Sequence, residues 1–353
     1  MSEDFIIDGV AHAHNFRPDN FVPGSDPDAL INLMYDLQVR SAPEGDQRWV
    51  MSSQRFRERT DATFLAHALF AESEVDACIY HSLPIYSLFK DGSSHIDVGL
   101  EMRRRWPGRV ALYGAISPFR HGVLDRIDRL VDESGVVGLK LYPQDLVDGR
   151  IRGYRLDERE LTYPIFEHAC KRGIKTVAMH KAVPFGPIGI ADFRVNDVAE
   201  TAAAFPNLNF EIFHGGFAFL EETLLQMLYT PNVTVNLEGV ISYITFAPRK
   251  FASILGEFLS IGAWNRLVWG TGCMAAHPQP LLKAFREFEM PADLMAQYGY
   301  PQLTAEMKRS MLGLTQARIC GIDIASMKQQ SANDEFARIR AEGLREPWSC
   351  VTR

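Results

Sequence analysis

The chain reads as an α/β protein, a single (β/α)8 barrel of the TIM type. Three observations carry this reading. Eight short apolar runs alternate with helical patterns, the rhythm of parallel βα units. Polar residues, four histidines among them, fall at the C-terminal ends of those runs, the face where a barrel gathers its chemistry. The Gly-rich phosphate loop that follows the first strand of many open doubly wound sheets is absent.

Composition sets the bounds. The 353 residues are 46% hydrophobic and 23% charged, ordinary for a folded chain with ample core material. Net charge is −7 and no Lys/Arg block stands out, which argues against a nucleic-acid partner. The five cysteines are scattered and form no CxxC, so reduced thiols in a cytoplasmic protein are expected. The acidic start, Met1-Ser2-Glu3-Asp4, lacks the basic region of a signal peptide. No apolar run approaches the roughly 20 residues that a membrane span needs, so no membrane is expected as a partner.

Strand one is expected over 5–14. From 15 to 61 prolines and glycines break the pattern, with a short helix at 30–39. A long excursion directly after a site-bearing strand is expected to be a lid or an oligomer contact. A helix at 62–74 leads to strand two at 75–81, and another helix lies within 84–105. Strand three spans 110–117, with a helix at 122–133, and strand four spans 136–141. The polar stretch 144–161 reads as loop. The helix at 163–171 has Pro164 in its first turn, where proline is tolerated. Strand five spans 174–180, followed by a Gly/Pro-rich loop at 181–189 and a helix at 193–205. Strand six is 208–214, then a helix at 219–228, strand seven at 233–237, a helix at 251–261 and strand eight at 267–270. Helices follow at 280–288 and 304–319. The barrel thus occupies 1–323, with 15–61 as an insertion and 324–353 as a polar C-terminal extension ending near Trp348.

The strand ends carry the chemistry. His12 and His14, at i and i+2 on an extended strand, point to one face. Strand four ends in Lys140 and Tyr142, strand five in His180, strand six in His214 and strand seven in Asn236 and Glu238. His81 ends strand two and is a further candidate for the same pocket. A lone buried histidine is equally well explained by a hydrogen bond to a backbone carbonyl. Four histidines at strand ends are better explained by a site, and imidazoles brought together there can hold a divalent metal. Arg17, Lys181, Tyr142, Phe217 and Trp269 would suit a carboxylate on an apolar or aromatic body, with Phe217 and Trp269 equally explicable as core.

Several segments in order are Ile6-Ile7-Asp8 leading to His12-Ala13-His14, Gly138-Leu139-Lys140-Leu141-Tyr142-Pro143, and Tyr163-Pro164-Ile165-Phe166-Glu167-His168-Ala169. His214-Gly215-Gly216 and Leu312-Gly313-Leu314-Thr315-Gln316-Ala317-Arg318-Ile319-Cys320-Gly321-Ile322-Asp323 follow. Through them the chain resembles the amidohydrolase superfamily over residues 5–323. The branch is the amidohydrolase-related one, with decarboxylases of the aminocarboxymuconate-semialdehyde and γ-resorcylate types and dicarboxylate lactonases. The resemblance implies that His12, His14 and His180 ligate one divalent ion, expected to be zinc. It implies that His214 is a fourth ligand or an acid/base above the metal, and that the chain forms a homo-oligomer, by default a dimer. Lys140 falls where binuclear relatives carry a carboxylated lysine. In this branch that lysine is usually no ligand, and it is left out of the expected site.

One departure stands out. The family places an aspartate after strand eight in a Gly-Ser/Thr-Asp motif. Here the chain reads Gly270-Thr271-Gly272-Cys273, with Gly272 in the aspartate's place. Glycine can neither ligate through a side chain nor accept a proton. Glu238, or Cys273 as a thiolate ligand, could substitute. The site could instead run chemistry that needs no aspartate, or be catalytically dead. Two functions follow. The first is a metal-dependent hydrolase or decarboxylase acting on a small carboxylated molecule. The second is a catalytically impaired accessory protein that binds a partner enzyme, with Trp348 as an anchor.

Overall fold

The structure is a computed structural model and describes residues 4–185 and 189–350. Part of the loop expected at 181–189 lies outside the described residues. Eight parallel strands form the barrel: β1 (Ile7–Ala11), β2 (Ala77–His81), β3 (Val110–Ala115), β4 (Gly138–Leu141), β7 (Thr176–Met179), β8 (Asn209–Ile212), β9 (Val233–Asn236) and β10 (Leu267–Val268). Between β4 and β7 lies an antiparallel pair, β5 (Gln144–Val147) and β6 (Arg150–Gly153). The barrel strands are buried almost throughout, so they read as continuous apolar runs. Helices between them cover the outside and the expected (β/α)8 architecture is present.

β10 has only two residues, so closure falls to the segment after it. The Gly9 amide donates to the Trp269 carbonyl at 3.1 Å, Gly272 N–H to the Val10 carbonyl at 3.1 Å and His12 N–H to the Cys273 carbonyl at 2.6 Å. The Asp8 carboxylate completes the seam, accepting from the Thr271 amide at 2.9 Å and the Thr271 hydroxyl at 2.5 Å. Burial pushes the Asp8 carboxyl up to about 7 against these hydrogen bonds. This seam fixes where β1 releases His12 and His14.

Three local expectations change. The polar stretch after β4 is a hairpin whose turn is Asp148-Gly149, both at positive φ (50° and 72°). A two-residue Asp-Gly link is a hairpin signature that the surrounding polarity obscured. The helix expected at 163–171 begins at Arg159, which places Pro164 inside it. The polar extension is helical over Ile324–Ser331 and Glu335–Glu342, each capped by an aspartate that accepts backbone N–H bonds.

That extension is docked on its own chain. Arg109 grips the Asp334 carboxylate through two nitrogens, and Phe336 is fully buried against Phe70 and Trp106. Trp348 is also buried and lies against Phe64 and His277, so it is occupied within this chain. The backbone N–H groups of Trp348 and Ser349 donate to the Glu72 carboxylate at 2.7 and 2.8 Å, and His277 Nε2 lies 3.2 Å from it.

Burial works against ionising Glu72. Its bonds to His277, Ser349 and Trp348 nevertheless hold the carboxyl below its usual range. Burial also lowers His277 from 6.5, outweighing the neighbouring Glu72. Both groups therefore bind protons less readily folded than unfolded, so the unfolded chain takes up protons first as pH falls. The stabilisation is complete above the unfolded histidine range and declines through that range and then the carboxylate range. Across the carboxylate range, unfolding free energies from urea titrations are expected to fall more steeply with falling pH for the wild type than for Glu72→Gln. Equal slopes would show that this latch does not titrate.

Candidate active site

A cavity of ≈ 330 Å³ opens at the C-terminal ends of the strands. Its buried floor carries His12, His14, Lys140, Tyr142, His180 and Phe213. His214 and Glu238 line it from the loops after β8 and β9. One wall is the helix Asp28–Ser41, which turns Leu30, Met34 and Leu37 inward. Part of the expected insertion thus builds the cavity. Exposed Leu33, Phe217 and Phe246 form an apolar rim with Arg40 and Asp36.

The histidines form two pairs. His12 and His14 follow β1 with ring centroids 5.3 Å apart. His12 Nδ1 lies 3.4 Å from the His81 carbonyl, to which it can only donate, leaving Nε2 with its lone pair. His14 stacks on Phe16 at 4.6 Å, and neither of its buried ring nitrogens has a partner in hydrogen-bond geometry. Burial drives His14 down to about 3, with Glu238 and the Ser93 carbonyl only partly opposing it. His81 itself is fully buried beneath the site, with Nε2 2.9 Å from the Gly9 carbonyl.

Across the cavity, His180 stacks on Tyr142 at 4.4 Å. His180 Nε2 lies 2.5 Å from the Val183 carbonyl, and Nδ1 lies 3.0 Å from His214 Nε2. His214 Nδ1 in turn lies 2.6 Å from a Glu238 carboxylate oxygen. The proton count follows from the partners. The Val183 carbonyl and the Glu238 carboxylate can each only accept, so each requires an N–H facing it. The short nitrogen–nitrogen contact requires one further proton. The pair therefore holds one proton more than two neutral rings. Burial and the neighbouring His214 push His180 well down, which disfavours charge on the His180 ring. Burial opposes charge on Glu238, but His214 beside it holds the carboxyl below its usual range. His214 has φ +56°, a left-handed backbone that turns the chain at the strand end.

Glu238 also accounts for Gly272. A β-carbon at Gly272 would lie 2.5 Å from Glu238 Oε1, and Gly272 has φ +67°. The loop after β9 thus carries a carboxylate into the space where a side chain at position 272 would begin.

The remaining expected residues lie elsewhere. Cys273 is wholly buried with its sulfur 3.9 Å from Met274 Sδ, and burial pushes the thiol well up, so it offers the cavity no thiolate. Lys181 turns away, its ammonium donating to Asp197 at 2.7 Å and the Asp192 carbonyl at 3.0 Å. Trp269 is fully buried in the core. Arg17 is exposed beside Asp19 and lines a separate surface hollow with Phe16 and Arg57. Of the five residues expected to contact substrate, Tyr142 and Phe217 line the cavity. Sequence reasoning set aside Lys140 and did not assign the helix Asp28–Ser41 to the pocket. Its apolar spacing was the available signal.

The donor set implied by the resemblance does not assemble in this arrangement. Both nitrogens of His180 are engaged, and His12 and His14 lie in a separate pair. Among the described residues no group of three or more His, Cys, Asp or Glu side chains is disposed to hold a metal ion. The unpartnered nitrogens of His14 remain the clearest opening for a ligand.

A family model described as amidohydrolase matches residues 11–322. The chain belongs to this amidohydrolase family. No curated protein matches it. Among solved structures, an uncharacterized TIM-barrel protein from Bordetella bronchiseptica superposes with TM-score 0.62 at 16% identity, covering 90% of this chain and 98% of its own. A 5-carboxyvanillate decarboxylase from Novosphingobium aromaticivorans, complexed with manganese and a nitrobenzoic acid, gives 0.58 at 14%, covering 90% and 96%. A probable 2-pyrone-4,6-dicarboxylic acid hydrolase from Acinetobacter baumannii, with citric acid bound, gives 0.52 at 12%, covering 90% and 99%. At these identities the superpositions speak for the shared barrel.

The contact between positions 272 and 238 is open to a double-mutant cycle. Gly272→Ala is expected to destabilise the chain by about 1–3 kcal/mol, from the close contact and the left-handed backbone. In a Glu238→Ala background the loss should shrink by about 0.5 kcal/mol or more. Strict additivity in urea unfolding would mean that the two positions do not compete for space.

Proposed function

We propose that this chain is an enzyme that hydrolyses or decarboxylates a small molecule joining a carboxylate to an apolar or aromatic body. The observation that carries this reading is the Glu238–His214–His180 array opening into an apolar cavity. A buried carboxylate orients the imidazole, and that imidazole holds a transferable proton facing a neutral one. An array of this kind gives a proton to a leaving group or a carbanion and takes one back in the return step. Membership of the amidohydrolase family supports catalysis, and the solved relatives that superpose include enzymes named for carboxylated substrates.

The floor suits one end of such a substrate. In the neutral ring of His14 one nitrogen is a donor, and burial without a partner leaves it costly. A carboxylate oxygen from the substrate satisfies it. Tyr142, Phe185 and the inward leucines of the helix Asp28–Ser41 cover the apolar body and exclude water.

The features that suggested an accessory protein have explanations within the chain. Glu238 occupies the space beside Gly272, the insertion builds a cavity wall, and Trp348 is buried.

Turnover on a panel of carboxylated aromatics and dicarboxylate lactones tests the proposal. Glu238→Gln and His214→Asn should each lower kcat about 10²–10⁴-fold. His14→Phe should act mainly on KM. Unchanged kcat in both acid/base variants would refute the assignment. Zinc enters no step. Two free imidazoles fall short of the three protein ligands of a catalytic zinc site, so protein purified without added metal should carry well under one zinc per chain. Stoichiometric zinc that disappears in His180→Ala would overturn the donor arrangement described above.

A further inference from the structure

The acid/base array leaves one reactive group on the cavity floor unused. Lys140, at the end of β4, is almost completely buried and lines the cavity. Its ammonium nitrogen sits 3.0 Å above the centre of the Phe213 ring and 5.7 Å from that of Tyr142. No hydrogen bond or ion pair to it is present among the described residues. The carboxylate of Glu211 acts on it only through space, being held by the Tyr113 hydroxyl at 3.0 Å and the Asn236 amide at 2.8 Å. Lys181 shows the contrast. It is equally buried but fully bonded, and serves structure.

We propose that Lys140 is a nucleophilic amine that forms an imine with the carbonyl group of an oxo acid bound in this cavity. Burial supports this, lowering the amine well below its ordinary 10.5 and favouring the free base, with Glu211 and Glu238 partly opposing. A lysine desolvated over aromatic rings is activated in this way, whereas a solvated surface lysine stays protonated.

The chemistry balances without an added oxidant or reductant. The Lys140 nitrogen attacks the carbonyl carbon, and His214 gives a proton to the departing oxygen. Water leaves and a protonated imine remains. When the substrate is a 3-oxo acid with its carboxylate against His14, the bond to the carboxylate breaks. Its electron pair passes into the protonated imine, giving an enamine and carbon dioxide. The enamine carbon then takes a proton, and water hydrolyses the imine to a ketone and the free amine. Overall one proton is consumed per carbon dioxide released. This deepens the function proposed above and rests on it, by naming the substrate class and the electron sink.

The probe is 2,4-pentanedione, which gives amines a stable, ultraviolet-absorbing enaminone. The full chain at neutral pH should gain the mass of one pentanedione less one water, mapped by peptide analysis to Lys140. Lys140→Arg should abolish the adduct while keeping the charge. A wild-type chain left unmodified, or labelled only at exposed lysines, would overturn the proposal. Borohydride added during turnover of 3-oxo-3-phenylpropanoate should inactivate the wild type and fix a reduced adduct on Lys140. Turnover of carboxylated substrates that survives Lys140→Arg would discard the imine and leave the acid/base reading standing. Pentanedione labelling at Lys140 with no turnover of any carboxylated compound would uphold the amine and refute the function instead.

Discussion

The structure depends on the seam between β1 and the segment after β10. The last strand contributes only two residues, too few to close a barrel by ladder bonds alone. The Asp8 carboxylate and the backbone bonds of Gly9, Gly272 and His12 complete the closure. The seam sets both the exit of His12 and His14 and the place where Gly272 leaves room for Glu238. A buried carboxylate with three donors is strong when satisfied and costly when stripped of them. The closure is therefore firm, and it explains an Asp four residues ahead of His12 without giving it a role in chemistry.

Exchange of position is the second theme. A carboxylate reaches the space beside Gly272 from the loop after β9. The glycine is required by that arrival, since a β-carbon there would collide with Glu238. The consequence is chemical as well as steric. Glu238 is paired to His214 and orders that side of the cavity. The site reads as one organised around proton transfer between imidazoles, with a buried lysine beneath it.

Much of this was legible in the chain. The alternation of apolar runs and helical patterns gave the barrel, because strands buried on both faces must be apolar along their whole length. The strand-end positions of His12, His14, His180, His214 and Glu238 placed all five around one cavity. Where reading failed, the reason was physical. Lys181 sits next to the cavity residue His180 in sequence, but successive residues of an extended segment point opposite ways. Lys181 therefore reaches Asp197. Trp269 enters the core. Arg17 lies beyond the turn that β1 makes after His14. The polarity of β5 and β6 masked a hairpin, and the extension's polar face concealed the buried Phe336.

The sequence by itself determined the fold, the family and the list of polar groups at the barrel mouth, since periodicity and strand-end placement are local properties of the chain. Tertiary structure alone decided which of those groups meet. Hydrogen-bond partners and desolvation are set by side chains distant in sequence. They bind His180 to His214 and His214 to Glu238, leave His14 unpartnered, and strand Lys140 over an aromatic ring.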